Sequence, residues 1–300
     1  MMLANENESY QMTDEEYQQI LTEHMALIQQ FRLIDDTFFA VCFDKKPELV
    51  EFILKIILDK ADLHVIHCKT QYSIKNISGH SVTLDAFAID SSGRRYNIEV
   101  QTTDKGAVPQ RARYYGSLLD SHLSLKKGKT YDKLPENYVV FITKNDVIGG
   151  GLPIYHIERT IVEMDRHFCD GSHIVYVNAS HQDDTALGRL MADFLCQNPH
   201  EMNYDELSDI TSYFKENEQG VNHMCEIMQT IHQRGVDWGM QKGIEKGIEK
   251  GIQQGIRQEQ AKTLRHARIM LERGLSVDDV VEYTDLPLET VQEIAAHLQA

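Results

Sequence analysis

Asp85, Glu99 and Gln101 are the residues of this sequence best suited to do chemistry together. They lie in one stretch, SVTLDAFAID-SSGR-RYNIEVQ (81–101), which reads as a β-hairpin. Val82, Thr83, Phe87 and Ile89 favour one strand, and Tyr96, Ile98 and Val100 favour the next. Ser91, Ser92 and Gly93 supply the turn, with Gly93 able to take φ > 0. Pairing Asp90 with Arg94 around that loop sets Asp85 opposite Glu99, with side chains roughly 5 Å apart. Alternation puts Glu99 and Gln101 on one face and Ile98 and Val100 on the other. Two carboxylates that close repel unless a cation lies between them or one takes a proton. The expectation depends on register, because a slip of one residue separates the carboxylates.

Hard oxygen donors suit Mg²⁺, which keeps several waters and needs few protein ligands. Asp85, Glu99 and the carbonyl of Val100 would be those ligands. Gln101 would position the attacking water, since an amide accepts no proton at neutral pH. Such a site serves phosphodiester hydrolysis, where a cation neutralises the phosphate and activates water. A Ser/His/Asp or Cys/His hydrolase has no supporting motif; no G-x-S-x-G is present.

The surrounding elements must hold this hairpin. Residues 1–25 are polar and acidic and read as a leader, without the basic and apolar regions of a signal peptide. Asp35-Asp36 can cap a helix beginning near Thr37. A second helix starts at Pro47, with an apolar stripe at Leu49, Val50, Ile53, Leu54, Ile57 and Leu58. HVIHCKTQYSIKNI reads as a strand, followed by a turn at Ser78-Gly79-His80. After the hairpin, Pro109 opens a helix whose buried stripe includes Tyr115, Leu118 and Leu119 and which ends near Gly128. Arg111 and Tyr115 share one of its faces. YVVFIT (138–143) is a buried strand. IYHIERTI and HIVYVN suggest further sheet at the edges, and 185–232 is helical by period in three pieces.

Charge and composition narrow the function. The net charge of −16 counts against simple DNA binding. The excess is local, however. Lys105, Arg111, Arg113, Lys126, Lys127, Lys129, Lys133 and Lys144 outnumber Asp104, Asp120, Asp132 and Glu136 in the segment after the hairpin. That segment is either a DNA guide or a solvated face. The scattered cysteines, five in all and without a CxxC, fit reduced thiols in the cytoplasm. No apolar run reaches membrane-spanning length.

The ordered set helix–strand–strand–strand–helix–strand, with an acid on the second strand and E-x-Q on the third, resembles the PD-(D/E)XK nucleases. More narrowly, it resembles the PD-(D/E)XK nuclease family transposases, or Rpn family recombination-promoting nucleases. IDDTFFAVCF, TLDAFAID-SSGRRYNIEVQ, RARYYGSLLD, GKTYDKLPENYVVFIT and DGSHIVYVN carry the likeness, over roughly residues 31 to 240. It implies an α/β restriction-endonuclease-like fold: a mixed central sheet flanked by helices, followed by an all-helical C-terminal region. It implies Asp85 and Glu99 as metal ligands, Gln101 in the place of the motif's lysine, and Asp36, or Asp35 beside it, as a further metal-holding acid. Arg111 and Tyr115 match the helix flanking the active site. Arg111, Arg113, Tyr115, Lys126 and Lys127 are candidate DNA contacts. The implied activity is a Mg²⁺-dependent DNA endonuclease of transposase or recombination-promoting type, with Mn²⁺ able to substitute. Leu84 stands where the motif name has proline.

The domains expected are a leader (1–25), a nuclease-like core (26–182), a helical extension (183–238), a Gly-Ile repeat helix or linker (239–260) and a small acidic helical tail (261–300). The repeat runs Gly239-MQK-Gly243-IEK-Gly247-IEK-Gly251-IQQ-Gly255-IRQ. Its glycines make a poor isolated helix unless another helix packs along them, so it is either a marginal linker or a self-association helix. The tail from Ser276 has the shape of a helix-turn-helix but carries only carboxylates and no Lys or Arg, which suits a partner helix better than a major groove. The rival reading is a catalytically weak or inactive nuclease fold that binds DNA or protein as an assembly module.

Overall fold

Apolar stripes and the breaks between them set the helices before the hairpin: α1 (Asp14–Gln30), α2 (Asp36–Phe43) and α3 (Pro47–Leu58). The computed structural model describes residues 14–75, 79–123, 128 and 130–299. Residues 1–13 of the expected leader lie outside these, as do Ser78 of the expected turn and Lys126, Lys127 and Lys129. Residues 14–25 of the expected leader are helical, forming the first part of α1, which runs on to bury Ile28 in the core. Asp36 is the first residue of α2 and not its cap. Asp35 holds the cap position without a capping bond, because its Oδ2 accepts the Arg32 N–H at 2.8 Å.

A six-stranded mixed sheet follows: β1 (Val65–Ile74), β2 (Val82–Asp90), β3 (Arg95–Gln101), β4 (Asn137–Thr143), β5 (Ile154–Ile157) and, after the two-residue strands β6 (Thr160–Ile161) and β7 (Arg166–His167), β8 (Ser172–Asn178). The order is β1-β2-β3-β4-β8-β5, with β6 and β7 forming a separate ribbon. β3, β4 and β8 run parallel and the others antiparallel. Only β5 of the two late segments lies at an edge, since β8 sits inside the sheet. α4 (Pro109–Leu123) is the crossover between β3 and β4 and buries Ala112, Tyr115, Leu118 and Leu119 on one face of the sheet. α2, α3, α5 (Ala186–Leu195) and α6 (Asp205–Glu216) close the other, around Phe38, Phe39, Ile53, Ile98 and Phe194.

The ribbon of β1 and β2 changes sides midway. Ala86 and Ala88 pack on the α2 side, whereas Val82 and Leu84, of the same parity, pack on the α4 side. The break falls between the Thr70–Ala86 and Tyr72–Leu84 pairs, where Gln71 takes a left-handed φ of 48°. A non-glycine residue held there costs of order 1 kcal/mol or more, which the flanking rungs must offset. Asp85 sits at this break.

α7 (Glu218–Glu272) is one helix through the whole Gly-Ile repeat, despite the cost of its glycines. The chain divides into two units, Met1–Met228 and Gln229–Ala300. In the second, Ala267 near the end of α7 packs with Val280 of α8 (Val277–Thr284) and Val291 of α9 (Leu288–Gln299). Ser276 caps α8, its Oγ accepting the Asp279 N–H at 3.2 Å. Among the described residues, no helix is long and apolar enough to cross a membrane.

Candidate active site

The hairpin adopts the register that its loop requires. Asp90 N–H bonds the Arg94 carbonyl at 3.1 Å, Gly93 takes a φ of 82°, and Ala86 pairs with Ile98. The ladder between β2 and β3 ends at that last pair. β2 then stays with β1 as far as Val82, while β3 stays with β4 as far as Gln101. The two strands part at Asp85 and Glu99, and the carboxylates replace the missing rungs. Asp85 Oδ2 accepts the Val100 N–H at 3.0 Å, and Glu99 Oε1 accepts the Asp85 N–H at 3.3 Å.

Both carboxyls are held above the ordinary carboxylate range. Burial is the first cause for each. The charge of Asp36 adds to it at Asp85, and the charge of Asp85 adds to it at Glu99. The Val100 N–H at Asp85 and the guanidinium of Arg111 at both pull the other way. Arg111 offsets one negative charge of the pair and leaves the other opposed mainly by backbone dipoles.

Arg111 reaches the site from the first turns of α4. It donates to Glu99 Oε2 at 2.7 Å, to Gln101 Oε1 at 3.2 Å, to the Gly106 carbonyl at 2.7 Å and to the Tyr115 hydroxyl at 2.8 Å. The shared helix face expected of Arg111 and Tyr115 is therefore used inward. Tyr115 is buried, and its hydroxyl orients the guanidinium. Arg113 is exposed on α4.

A cleft of about 390 Å³ opens over Asp85, Val100, Gln101, Thr102, Thr103 and Arg111, with Ile34, Asp35 and Asp36 on its other wall. Asp36 faces this cleft, and its Oδ1 accepts the Thr37 N–H at 2.6 Å. Glu99 is fully buried and does not line it. Asp36, Asp85 and Glu99 are therefore not gathered as a three-carboxylate metal cage. Among the described residues, no three His, Cys, Asp or Glu side chains stand close enough to hold an ion. By type the donors fit a hard divalent cation: Asp36 and Asp85 carboxylates and the Gln101 side chain line the cleft, with Glu99 buried behind Asp85.

Gly106 was not legible as a site residue. A Cβ there would meet Gln101 Oε1 at 1.7 Å and Arg111 Nη1 at 3.4 Å. Gly106→Val should therefore push Gln101 off Arg111 while leaving the helix of α4 intact. The melting temperature should change little, and whatever activity the cleft supports should fall about tenfold, the loss typical of an outer-shell support.

Residues 38–185 match the family model described as PD-(D/E)XK nuclease family transposase. No curated protein and no solved structure matches the chain.

Proposed function

Since residues 38–185 belong to the PD-(D/E)XK nuclease family transposases, we propose that this chain is a Mg²⁺-dependent endonuclease that hydrolyses DNA phosphodiester bonds. The observation that carries this reading is the opposition of two buried carboxylates where β2 and β3 part, beside a cleft walled by a third acid. Asp85 and Glu99 would hold the cation, with Gln101 Oε1 at its edge and Asp36 approaching from across the cleft. When bound, a divalent cation supplies positive charge to the scissile phosphate and makes a neighbouring water more acidic. Gln101 orients that water without taking its proton. Arg111 takes over the charge of the lysine that Gln101 replaces, since its guanidinium touches both Glu99 and Gln101. The exposed Lys105 and Arg113 then contribute to holding the acidic backbone of DNA against a chain of net charge −16. The five scattered cysteines, without a CxxC, support a reducing compartment such as the cytoplasm.

Nicking and linearisation of supercoiled plasmid at low salt tests the proposal. Wild type should cut in Mg²⁺ or Mn²⁺ and stop in a chelator, and Asp85→Ala should not cut. Pure protein that cuts in neither metal overturns it. A second reading, a nuclease fold that binds without cutting, is favoured by the Arg111 guanidinium standing on Glu99 Oε2. In that case DNA would be retained with the same affinity by wild type and Asp85→Ala.

A further inference from the structure

We infer that the outer half of the β1–β2 ribbon carries the sugar–phosphate backbone of DNA to the cleft, through an exposed face holding Ser73, Lys75 and Thr83. The inference takes its ligand from the function proposed above. From Leu63 to Leu84 the chain has no Asp or Glu, and nowhere does it run longer without one. The whole chain holds 46 acidic residues against 30 Lys and Arg, a balance that repels DNA. A surface that meets phosphate must therefore exclude carboxylates locally. This run does so, and it ends at the neighbour of Asp85.

The parting of β2 from β3 creates the surface. Beyond the Ala86–Ile98 pair, β2 is paired with β1 alone, through Tyr72–Leu84, Ser73–Thr83 and Ile74–Val82. Tyr72, Ile74, Val82 and Leu84 pack into the apolar cluster beneath α4. Alternation turns Ser73 and Thr83 to the opposite face, and both are exposed. Thr83 stands two residues, roughly 7 Å, from Asp85 along the strand. Asp85 in turn lines the cleft with Asp36. The tip is tied down, since the Tyr114 hydroxyl of α4 donates to the His80 carbonyl at 2.6 Å. The face is thus set before a ligand arrives, which lowers the cost of binding one.

The side chains on this face are the kinds that phosphate oxygens accept from. Ser73 Oγ and Thr83 Oγ1 share one hydrogen bond at 3.1 Å. That bond uses one hydroxyl proton and leaves the other for an acceptor from outside. Lys75, exposed just past the end of β1, adds a compact positive charge. Hydroxyls and lysine position a duplex by its backbone without reading its bases, so binding is expected to be indifferent to sequence. β1 is also an edge strand, where a lysine blocks pairing with another sheet. Charge of either sign blocks an edge, however, so edge protection does not account for the missing acids.

The test is fluorescence anisotropy of the full chain with a short labelled DNA duplex, in chelator so that nothing is cut, from about 50 to 200 mM salt. Wild type is expected to bind, and to bind more weakly as salt rises. Lys75→Ala should weaken binding about tenfold near 0.1 M salt and make the log–log salt slope shallower by about one, the loss of a single phosphate contact. Ser73→Ala with Thr83→Val should weaken binding severalfold at an unchanged slope. Lys133→Ala, which removes an exposed lysine ahead of β4, should change neither. Melting temperatures equal to wild type's show that the variants are folded. If Lys75→Ala or the hydroxyl variant binds as Lys133→Ala does, the inference is overturned. A wild type that binds no DNA overturns it together with the endonuclease reading. A chain that binds through the ribbon yet cuts nothing in Mg²⁺ or Mn²⁺ supports the inference and overturns that reading alone.

Discussion

Glu99→Gln should abolish metal-dependent cleavage and at the same time make the metal-free protein more stable at neutral and alkaline pH. On the proposed function the loss of cleavage follows from removing a charged ligand, and should exceed the roughly 100-fold typical of an outer-shell partner. The gain in stability follows from burial. The Glu99 carboxyl is wholly inside, and burial and the Asp85 charge hold it above the ordinary range. A carboxyl raised in this way favours folding while protonated. Its contribution is complete below the ordinary carboxylate pH and is lost as pH rises through the raised value. Glutamine keeps the shape and the acceptor for Arg111 but never ionises. The two proteins should therefore melt alike in acid and diverge as pH rises, by on the order of 1–2 kcal/mol given about 1.4 kcal/mol per pKa unit. Mg²⁺ should close that gap by raising the melting temperature of the wild type and not of Glu99→Gln. Melting curves from pH 4 to 9, with and without Mg²⁺, check both parts. A variant no more stable than wild type at pH 8 would show that Arg111 fully neutralises the pair.

Arg111→Ala should lower cleavage by about 100-fold or more, whereas Arg111→Lys should lower it about tenfold. The alanine variant removes the only guanidinium that reaches Glu99 among the described residues, and with it the charge proposed to stand in for the motif lysine. Removal of one preorganised charge donor at a reacting phosphate costs about 10²–10³ in rate. Lysine restores a point charge but not the fork that spans Glu99, Gln101, Gly106 and Tyr115. The pH profile should move as well. Arg111 pulls both carboxyls down, so without it the acid limb of the rate profile should shift to higher pH. If Arg111→Ala cuts faster than wild type in excess Mg²⁺, the arginine is instead a competitor for the cation site.

The hairpin was readable because local chemistry decides it. A three-residue loop with glycine at its left-handed position fixes the register, and the register brings Asp85 against Glu99. Leu118 and Leu119 were readable in the same way, from helical period. What escaped is set by contacts distant in sequence. Nothing near Gln71 signals its left-handed backbone, which follows from the change of side in the β1–β2 ribbon. The interior place of β8 is a pairing order, and an apolar strand reads alike at an edge or inside. Arg111 could be set on a face of α4, but not aimed at Glu99. Asp36 looked equally able to cap or to ligate, and it does not cap, because the chain enters α2 one residue earlier. The unbroken α7 contradicts propensity alone; the intervening Glu, Lys and Gln residues, good helix formers, carry the segment through.

The parting of β2 and β3 also makes the backbone a reporter. The amides of Asp85 and Val100 donate to carboxylate oxygens where ordinary strands would use carbonyls. A proton added to either carboxyl weakens the acceptor its amide sees. The nuclear magnetic resonance shifts of these two amides should thus titrate with the acid pair, in the unmutated protein and without any substrate. Two backbone signals then read the charge state of the buried pair directly.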